Sequence, residues 1–379
     1  MARLEWDITM RPPFIALAAA MALLVVPQMI QAATDTTPPK PRRPQEEAIA
    51  AVPLPYREQA VAFDAAPGVR LAGTLTLPNR SGRFAAAILI AGSGRHDRDE
   101  TVADHKPMLV LADALARQGY AVLRYDKRGA GKSTGDFDAA TMADLTSDAA
   151  AAVAYLRSRP DIDPSRIGLV GHSEGGTIAA VLAAKDPHLA YVVMMAGFAA
   201  PTRTLVAEQI RRIDVVNGTS PAAAAQSYGL NIKLFDAIAA AKDQSDAESR
   251  VRQVLAVASP APSAAEADQA LMFARMPAMR FILAYDPTPS LRRLRVPVLA
   301  LAGSKDLVVP PDINLPALRK ALAQDRDVRI VELPGLNHFF QTAQTGAPQE
   351  FSSIEETLAP QVMATMMPWI ARHVDTGRR

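Results

Sequence analysis

Short apolar runs alternate with segments of helical spacing along most of this chain, and that alternation restricts the fold more than any other feature. The runs at 85–91 and 167–170 are almost wholly apolar, as expected of strands buried on both faces. Because strand and helix alternate with short connections, we predict a mainly parallel, twisted sheet with helices on both faces. The predicted strands are 61–63 and 69–77, which form an antiparallel hairpin, then 85–91, 121–125, 167–170, 191–196, 296–301 and 328–333; the predicted helices are 108–117, 142–156, 175–184, 315–322 and 354–374.

One long stretch, from about 201 to 289, breaks the alternation. It contains no clear strand pattern, and its best segments, 230–241 and 249–257, favour helix. We predict a helical cap over the carboxyl ends of the strands, where sheets of this kind place their chemistry. The alternative is a surface insertion remote from that site.

The N-terminus carries an apolar run at 14–26 with Arg11 before it. Together with the small residues that follow, this pattern predicts a secretory signal at 1–33, with translation starting at Met1 or Met10. The run is shorter than the roughly 20 residues that a bilayer span needs, so we expect no stable membrane span after cleavage. The expected location is exported, periplasmic or secreted; an uncleaved anchor or a misannotated leader are the alternatives.

Six prolines lie within 34–55. Such a density favours polyproline II and opposes helix, so we predict an extended linker there and a folded domain over 56–379. The formal net charge of the 379-residue chain is only +2, which argues against a nucleic-acid partner. The absence of cysteine excludes disulfides, thiolate catalysis and cysteine-ligated metals.

The pentapeptide at 171–175 reads Gly-His-Ser-Glu-Gly and lies between a predicted buried strand and a predicted helix. In that context the G-x-S-x-G pattern is typical of a nucleophile elbow, a strained turn that presents a serine hydroxyl at the end of a helix. We therefore predict Ser173 as a nucleophile. The side chain of His172 is expected to point away from the serine side chain.

A serine hydroxyl is a weak nucleophile without a base. His338 follows the last predicted strand and Asp306 follows the strand before it, so both are expected at the same edge of the sheet as Ser173. The order Ser, Asp, His along the chain suits this arrangement. We predict His338 as the base and Asp306 as the acid that orients it; Asp312 is the nearest rival.

An oxyanion needs two hydrogen-bond donors. We predict the backbone N–H of Glu174, directly after the nucleophile, and that of Ser93, after the strand at 85–91, with Gly94 as the alternative to Ser93. The Glu174 side chain is expected either to contact substrate or to form a structural salt bridge, for example with an arginine.

Two further patterns are weaker. Gly131-Lys132-Ser133 is similar to the end of a phosphate-binding loop, but Asp126 stands where that motif requires glycine, so we predict no nucleotide site. The histidines and aspartates between 96 and 105 are better explained as an acidic loop than as a metal site, and we predict neither metal nor cofactor.

With these residues the chain resembles the α/β-hydrolase superfamily, and within it the bacterial esterase-like proteins described as serine aminopeptidase-like or dienelactone-hydrolase-like. Arg95 stands where that group has proline, which affects the assignment of the oxyanion donor rather than the reaction class. The resemblance implies hydrolysis of small carboxylic esters. The segments that carry it are 92–94, 97–99, 124–129, 171–176, 302–306 and 333–338.

The resulting hypothesis is an exported serine carboxylesterase that acts on a small-molecule ester through a Ser-His-Asp triad and an acyl-enzyme. A serine peptidase or a thioesterase with the same triad stays open. So does a binding scaffold without catalysis, although such a scaffold has no need of all three residues.

Overall fold

The computed structural model of the protein describes residues 41–374. Within that range eight strands form one open sheet in the order β1-β2-β4-β3-β5-β6-β7-β8. The first three strands in this order pair antiparallel, and every pair from β4 to β8 is parallel. The prediction of a mainly parallel sheet with an antiparallel hairpin at its edge is confirmed. The strands are β1 Tyr56–Ala66, β2 Val69–Pro78, β3 Phe84–Ile90, β4 Ala121–Tyr125, β5 Ile162–His172, β6 Val192–Met195, β7 Val298–Gly303 and β8 Val328–Leu333.

Helices precede, connect and follow the parallel strands. They are α1 Pro44–Ala51, α2 Pro107–Arg117, α3 Met142–Arg157, α4 Glu174–Ala183, α5 Thr202–Val216, α6 Pro221–Ala239, α7 Gln244–Ala256, α8 Ala264–Arg275, α9 Pro277–Ala284, α10 Thr288–Leu291, α11 Pro311–Ala321 and α12 Pro360–Val374, with a short 3₁₀ turn at Pro348–Glu350. The last helix begins at Pro360 rather than at 354, because proline suits the first turn of a helix and opposes any earlier one.

Successive side chains of a strand point to opposite faces of the sheet. Helices cover both faces, so both sets of side chains are buried. In β3, Phe84, Ala86, Ile88 and Ile90 join one core with helices α3, α4 and α11. The intervening Ala85, Ala87 and Leu89 join a second core with α2 and α12. The apolar runs of the sequence are therefore strands between two helical layers.

The helical insertion predicted at 201–289 is present as α5 to α9, between β6 and β7. Residues 203–284 form a compact unit separate from the sheet, in which α6 packs against α7 and α9. Side chains such as Leu234, Phe235 and Val251 are buried in this unit. That the unit covers the strand ends stays a prediction.

The segment predicted as an extended linker differs from the prediction in its second half. Helix α1 occupies Pro44–Ala51, with its proline in the first turn, where the missing N–H costs nothing. Gln45 accepts hydrogen bonds from the N–H groups of Thr357 and Leu358, and Arg43 donates to four backbone carbonyls. The prediction of an extended linker from proline density is therefore wrong for residues 44–51. The predicted signal at 1–33 lies outside the described residues.

No helix within 41–374 combines the length and the apolar character that a membrane crossing requires.

Candidate active site

The nucleophile turn lies between β5, which ends at His172, and α4, which begins at Glu174. Ser173 has φ 52° and ψ −121°, a conformation that costs a non-glycine residue on the order of 1–3 kcal/mol. A Cβ at Gly171 would lie 2.1 Å from the Gly175 carbonyl oxygen, and one at Gly175 would lie 2.1 Å from that of Ile90. Both glycines are required because the backbone approaches closely at these two positions. They allow the tight turn that places Ser173 at the start of helix α4.

The His338 and Asp306 side chains are hydrogen-bonded. His338 Nδ1 lies 2.9 Å from Asp306 Oδ2, and both residues are buried. The N–H groups of Val308 and Val309 each donate to Asp306 Oδ1 at 2.8 Å. Because the carboxylate accepts, Nδ1 carries the proton and Nε2 has a free lone pair; that His338 acts as the base stays a prediction. Asp312, the rival, opens helix α11 instead.

Ser173 and His338 are brought to the same place but are not joined by a hydrogen bond. His172, the residue before Ser173, contacts His338 instead: the centroids of the two rings are 4.8 Å apart. His172 Nε2 also lies 2.9 Å from the His338 carbonyl oxygen. The absence of this hydrogen bond does not argue against the pair, because catalytic hydrogen bonds often form or tighten only when the substrate binds.

The two predicted oxyanion donors lie beside the nucleophile. Glu174 opens α4, so its N–H is one of the first in the helix and has no partner within it. Ser93 follows Gly92, and a Cβ at Gly92 would lie 3.3 Å from the Cβ of Ser173. The Ser93 carbonyl is fixed by His96 Nε2 at 2.6 Å. The placement suits both amides, while their role as donors stays a prediction.

Lys127 connects the two donor segments. Its ammonium donates to the Gly92 carbonyl at 2.7 Å and to Glu174 Oε2 at 2.9 Å, and the lysine side chain is only 4% exposed. The salt bridge expected for Glu174 is therefore present, with a lysine rather than an arginine. Glu174 is thereby held in the structure and is not an unpaired carboxylate.

Sequence reasoning missed a second buried pair, Glu100 and His172. His172 Nδ1 lies 2.8 Å from Glu100 Oε1, which also accepts the Gly92 N–H at 2.7 Å. Burial opposes the charge of each residue, but their mutual attraction and hydrogen bond outweigh it, lowering the pKa of Glu100 and raising the pKa of His172. Both shifts favour the ionised forms of the two side chains. Its two residues are 72 positions apart, and no local pattern links them.

The weaker motifs have structural explanations. Asp126, in the place of the phosphate-loop glycine, binds the Arg98 guanidinium and accepts the N–H of Lys132. In the acidic loop, Asp99 pairs with Arg124, and His105 lies 2.6 Å from Thr357 Oγ1. These side chains fix loops next to the sheet.

The open sheet, the strained serine between β5 and α4, and the His338–Asp306 pair after its last two strands define an α/β-hydrolase of the serine hydrolase class. The family model of the X-Pro dipeptidyl-peptidases (S15 family) matches residues 67–321. The chain belongs to this family.

Curated relatives support the same class. Esterase EstD of Thermotoga maritima is 26% identical over 279 residues, which is 71% of this chain and 57% of EstD. An uncharacterized protein of Mycobacterium tuberculosis is 33% identical over 133 residues, 35% of this chain and 43% of that protein. The match thus spans about half the length of these curated relatives.

Among solved structures, the Pyrococcus furiosus esterase Pf2001 has a TM-score of 0.52 at 15% identity, covering 90% of this chain and 96% of the esterase. Such low identity shows a shared fold alone. Taken together, the family model, the relatives and the fold place this chain among the hydrolases of the α/β-hydrolase type.

Proposed function

We propose that the protein is a carboxylesterase whose nucleophile is Ser173, whose base is His338 and whose orienting acid is Asp306. The observation that carries the proposal is the 2.9 Å His338–Asp306 hydrogen bond beside a serine held at positive φ. This arrangement gives the imidazole one defined tautomer, with its free nitrogen available to the serine.

The reaction follows from these positions. His338 Nε2 takes the Ser173 proton as Oγ attacks the ester carbonyl, and Asp306 stabilises the imidazolium that forms. The amides of Ser93 and Glu174 bind the oxyanion. The imidazolium then protonates the departing alcohol, leaving an acyl-serine. Water, deprotonated by His338, releases the carboxylic acid and restores the serine.

The charges at the nucleophile favour a neutral ester over a peptide with a free amino terminus. A peptidase that removes N-terminal dipeptides has to bind an ammonium group, which an unpaired carboxylate does best. The three carboxylates described above for this site each have a basic partner. The pairs are Asp306–His338, Glu100–His172 and Glu174–Lys127.

A panel of substrates tests the choice. The full-length enzyme is assayed with p-nitrophenyl esters from acetate to palmitate and with glycyl-prolyl p-nitroanilide, and Ser173→Ala is the control. We expect ester turnover with a short-chain optimum and little release of nitroaniline. Efficient cleavage of the anilide without ester preference would support the second candidate, a dipeptidyl peptidase, which the family match favours.

The proposal includes export, which rests on the apolar run at 14–26. Fractionation of an expressing bacterium and sequencing of the mature N-terminus test it. A periplasmic protein that begins near residue 34 is expected, and a cytoplasmic protein that retains its first residues would contradict export.

A further inference from the structure

We propose that Glu100 and His172 are positioning residues that hold the oxyanion loop and the catalytic base in one fixed arrangement. The inference rests on the proposed function, because it assigns roles to residues around the same nucleophile. Neither side chain is proposed to touch substrate; each acts through the backbone of another residue.

The evidence is a continuous chain of hydrogen bonds. The Gly92 N–H, one residue before the predicted oxyanion donor Ser93, donates to Glu100 Oε1 at 2.7 Å. His172 Nδ1 reaches the same oxygen at 2.8 Å, and His172 Nε2 reaches the His338 carbonyl at 2.9 Å. The end of β3 is thereby connected to the loop of the base that follows β8.

The His338 carbonyl fixes one proton position along this chain of hydrogen bonds. The His338 carbonyl only accepts, so His172 Nε2 carries a hydrogen. Glu100 Oε1 already accepts from an amide and, as an ionised carboxylate, accepts from Nδ1 as well. Although burial opposes both charges, the mutual attraction of the two groups lowers the pKa of Glu100 and raises the pKa of His172. These directions favour an imidazolium balanced by a carboxylate, with no net charge from the pair beside His338. His96, Lys127 and Asp306 are the other charged or titratable groups facing the pair.

The backbone around the pair is costly, which indicates that the arrangement is held in place. Glu100 has φ 54° and is 1% exposed. A Cβ at Gly92 would lie 2.7 Å from Glu100 Oε1 and 3.3 Å from His172 Nδ1. A side chain at position 92 would thus have to displace the oxygen that joins the two segments, and that oxygen belongs to a glutamate with a strained backbone.

Glu100→Gln tests the inference with almost no change in shape. Without the negative charge of the carboxylate, His172 is expected to lose its Nδ1 proton and to need a donor at that nitrogen. The glutamine side chain has a single group at the Oε1 position, which cannot both accept from the Gly92 N–H and donate to His172 Nδ1. One link of the chain is therefore broken. Because small misplacements at a reacting centre cost up to about 100-fold, we expect kcat to fall about 10- to 100-fold with KM within about threefold of wild type.

The rate of labelling by a fluorophosphonate provides a second readout, since it depends on nucleophile activation and not on the ester chosen. It is expected to fall in parallel with kcat. If wild type is labelled but hydrolyses no ester, the proposed function fails while the positioning role is still tested by labelling. His172→Gln, which keeps an N–H near the Nε2 position, replaces Glu100→Gln if that variant does not fold.

Asp148→Asn is the matched control, because it breaks another buried ion pair, Arg128–Asp148, that is not part of the hydrogen-bond chain. It is expected to lower the Tm and leave kcat and labelling unchanged. Folded Glu100→Gln or His172→Gln enzyme with kcat and labelling within about twofold of wild type overturns the inference. So does a loss of equal size in Asp148→Asn, which would make the effect one of general stability.

Discussion

The Lys127 ammonium lies between the Gly92 carbonyl and the Glu174 carboxylate, 2.7 Å from one and 2.9 Å from the other. Glu174 begins the helix after the nucleophile, while Gly92 follows the strand that leads to Ser93. One buried lysine thus fixes the spacing of the two segments from which we expect the oxyanion donors.

Lys127→Met removes that connection and leaves Glu174 without its cation. We expect kcat/KM for a neutral nitrophenyl ester to fall about tenfold, as for a weakened oxyanion site. The unpaired Glu174 should at the same time favour substrates with an ammonium group, so the ratio of glycyl-prolyl anilide to ester turnover should rise. An unchanged ratio in the folded variant would show that Glu174 does not face the substrate.

Asp306→Asn keeps the shape of the orienting residue but cannot stabilise the imidazolium of His338. By analogy with other serine hydrolases, kcat is expected to fall by roughly 10³–10⁴, with a KM close to wild type. Steady-state kinetics on a nitrophenyl ester measures this. Asp312→Asn is the control and should retain full activity, because Asp312 lies in helix α11.

The stability of the protein is expected to depend on pH through Asp214. Burial raises the pKa of Asp214 to about 7 from an ordinary value of 3.8. The folded state therefore binds the proton more tightly than the unfolded state, and stability falls as pH rises from about 4 towards 7. Asp214→Asn, which is neutral like the protonated acid, should lose this pH dependence of stability.

Thermal unfolding at pH 5 and pH 8 tests the Asp214 prediction. The Tm of wild type should fall relative to that of Asp214→Asn between the two pH values. Parallel Tm changes in both proteins would show that Asp214 titrates normally.

Gly168 in β5 leaves room for Tyr191. A Cβ at Gly168 would lie 2.2 Å from the Tyr191 ring, which is fully buried. Gly168→Ala is therefore expected to destabilise the protein by about 1–3 kcal/mol. Gly229→Ala is the matched control, since Gly229 lies inside helix α6 with no atom within 4 Å of the new Cβ. It should stabilise by about 0.5–1 kcal/mol in urea unfolding, because alanine favours helix.

The fold and the central residues of the site follow from the sequence because they depend on local patterns. Apolar runs give the strands, and parallel strands bring residues after their carboxyl ends, such as Asp306 and His338, to one edge. The pairs Glu100–His172 and Lys127–Glu174 join loops that are 72 and 47 positions apart, and only the folded sheet defines their contact. Helix α1 was missed because its docking partners lie 60 to 313 positions away along the chain.

The central claim is that Ser173 is the nucleophile, and covalent labelling tests it most directly. The full-length enzyme is treated with a fluorophosphonate, digested, and analysed by mass spectrometry, with Ser173→Ala treated in parallel. We predict one phosphonylated peptide, modified at Ser173, with ester hydrolysis lost in step with labelling, and no adduct in Ser173→Ala. An unlabelled wild-type enzyme that still hydrolyses esters, or a Ser173→Ala variant that retains turnover, would contradict the account.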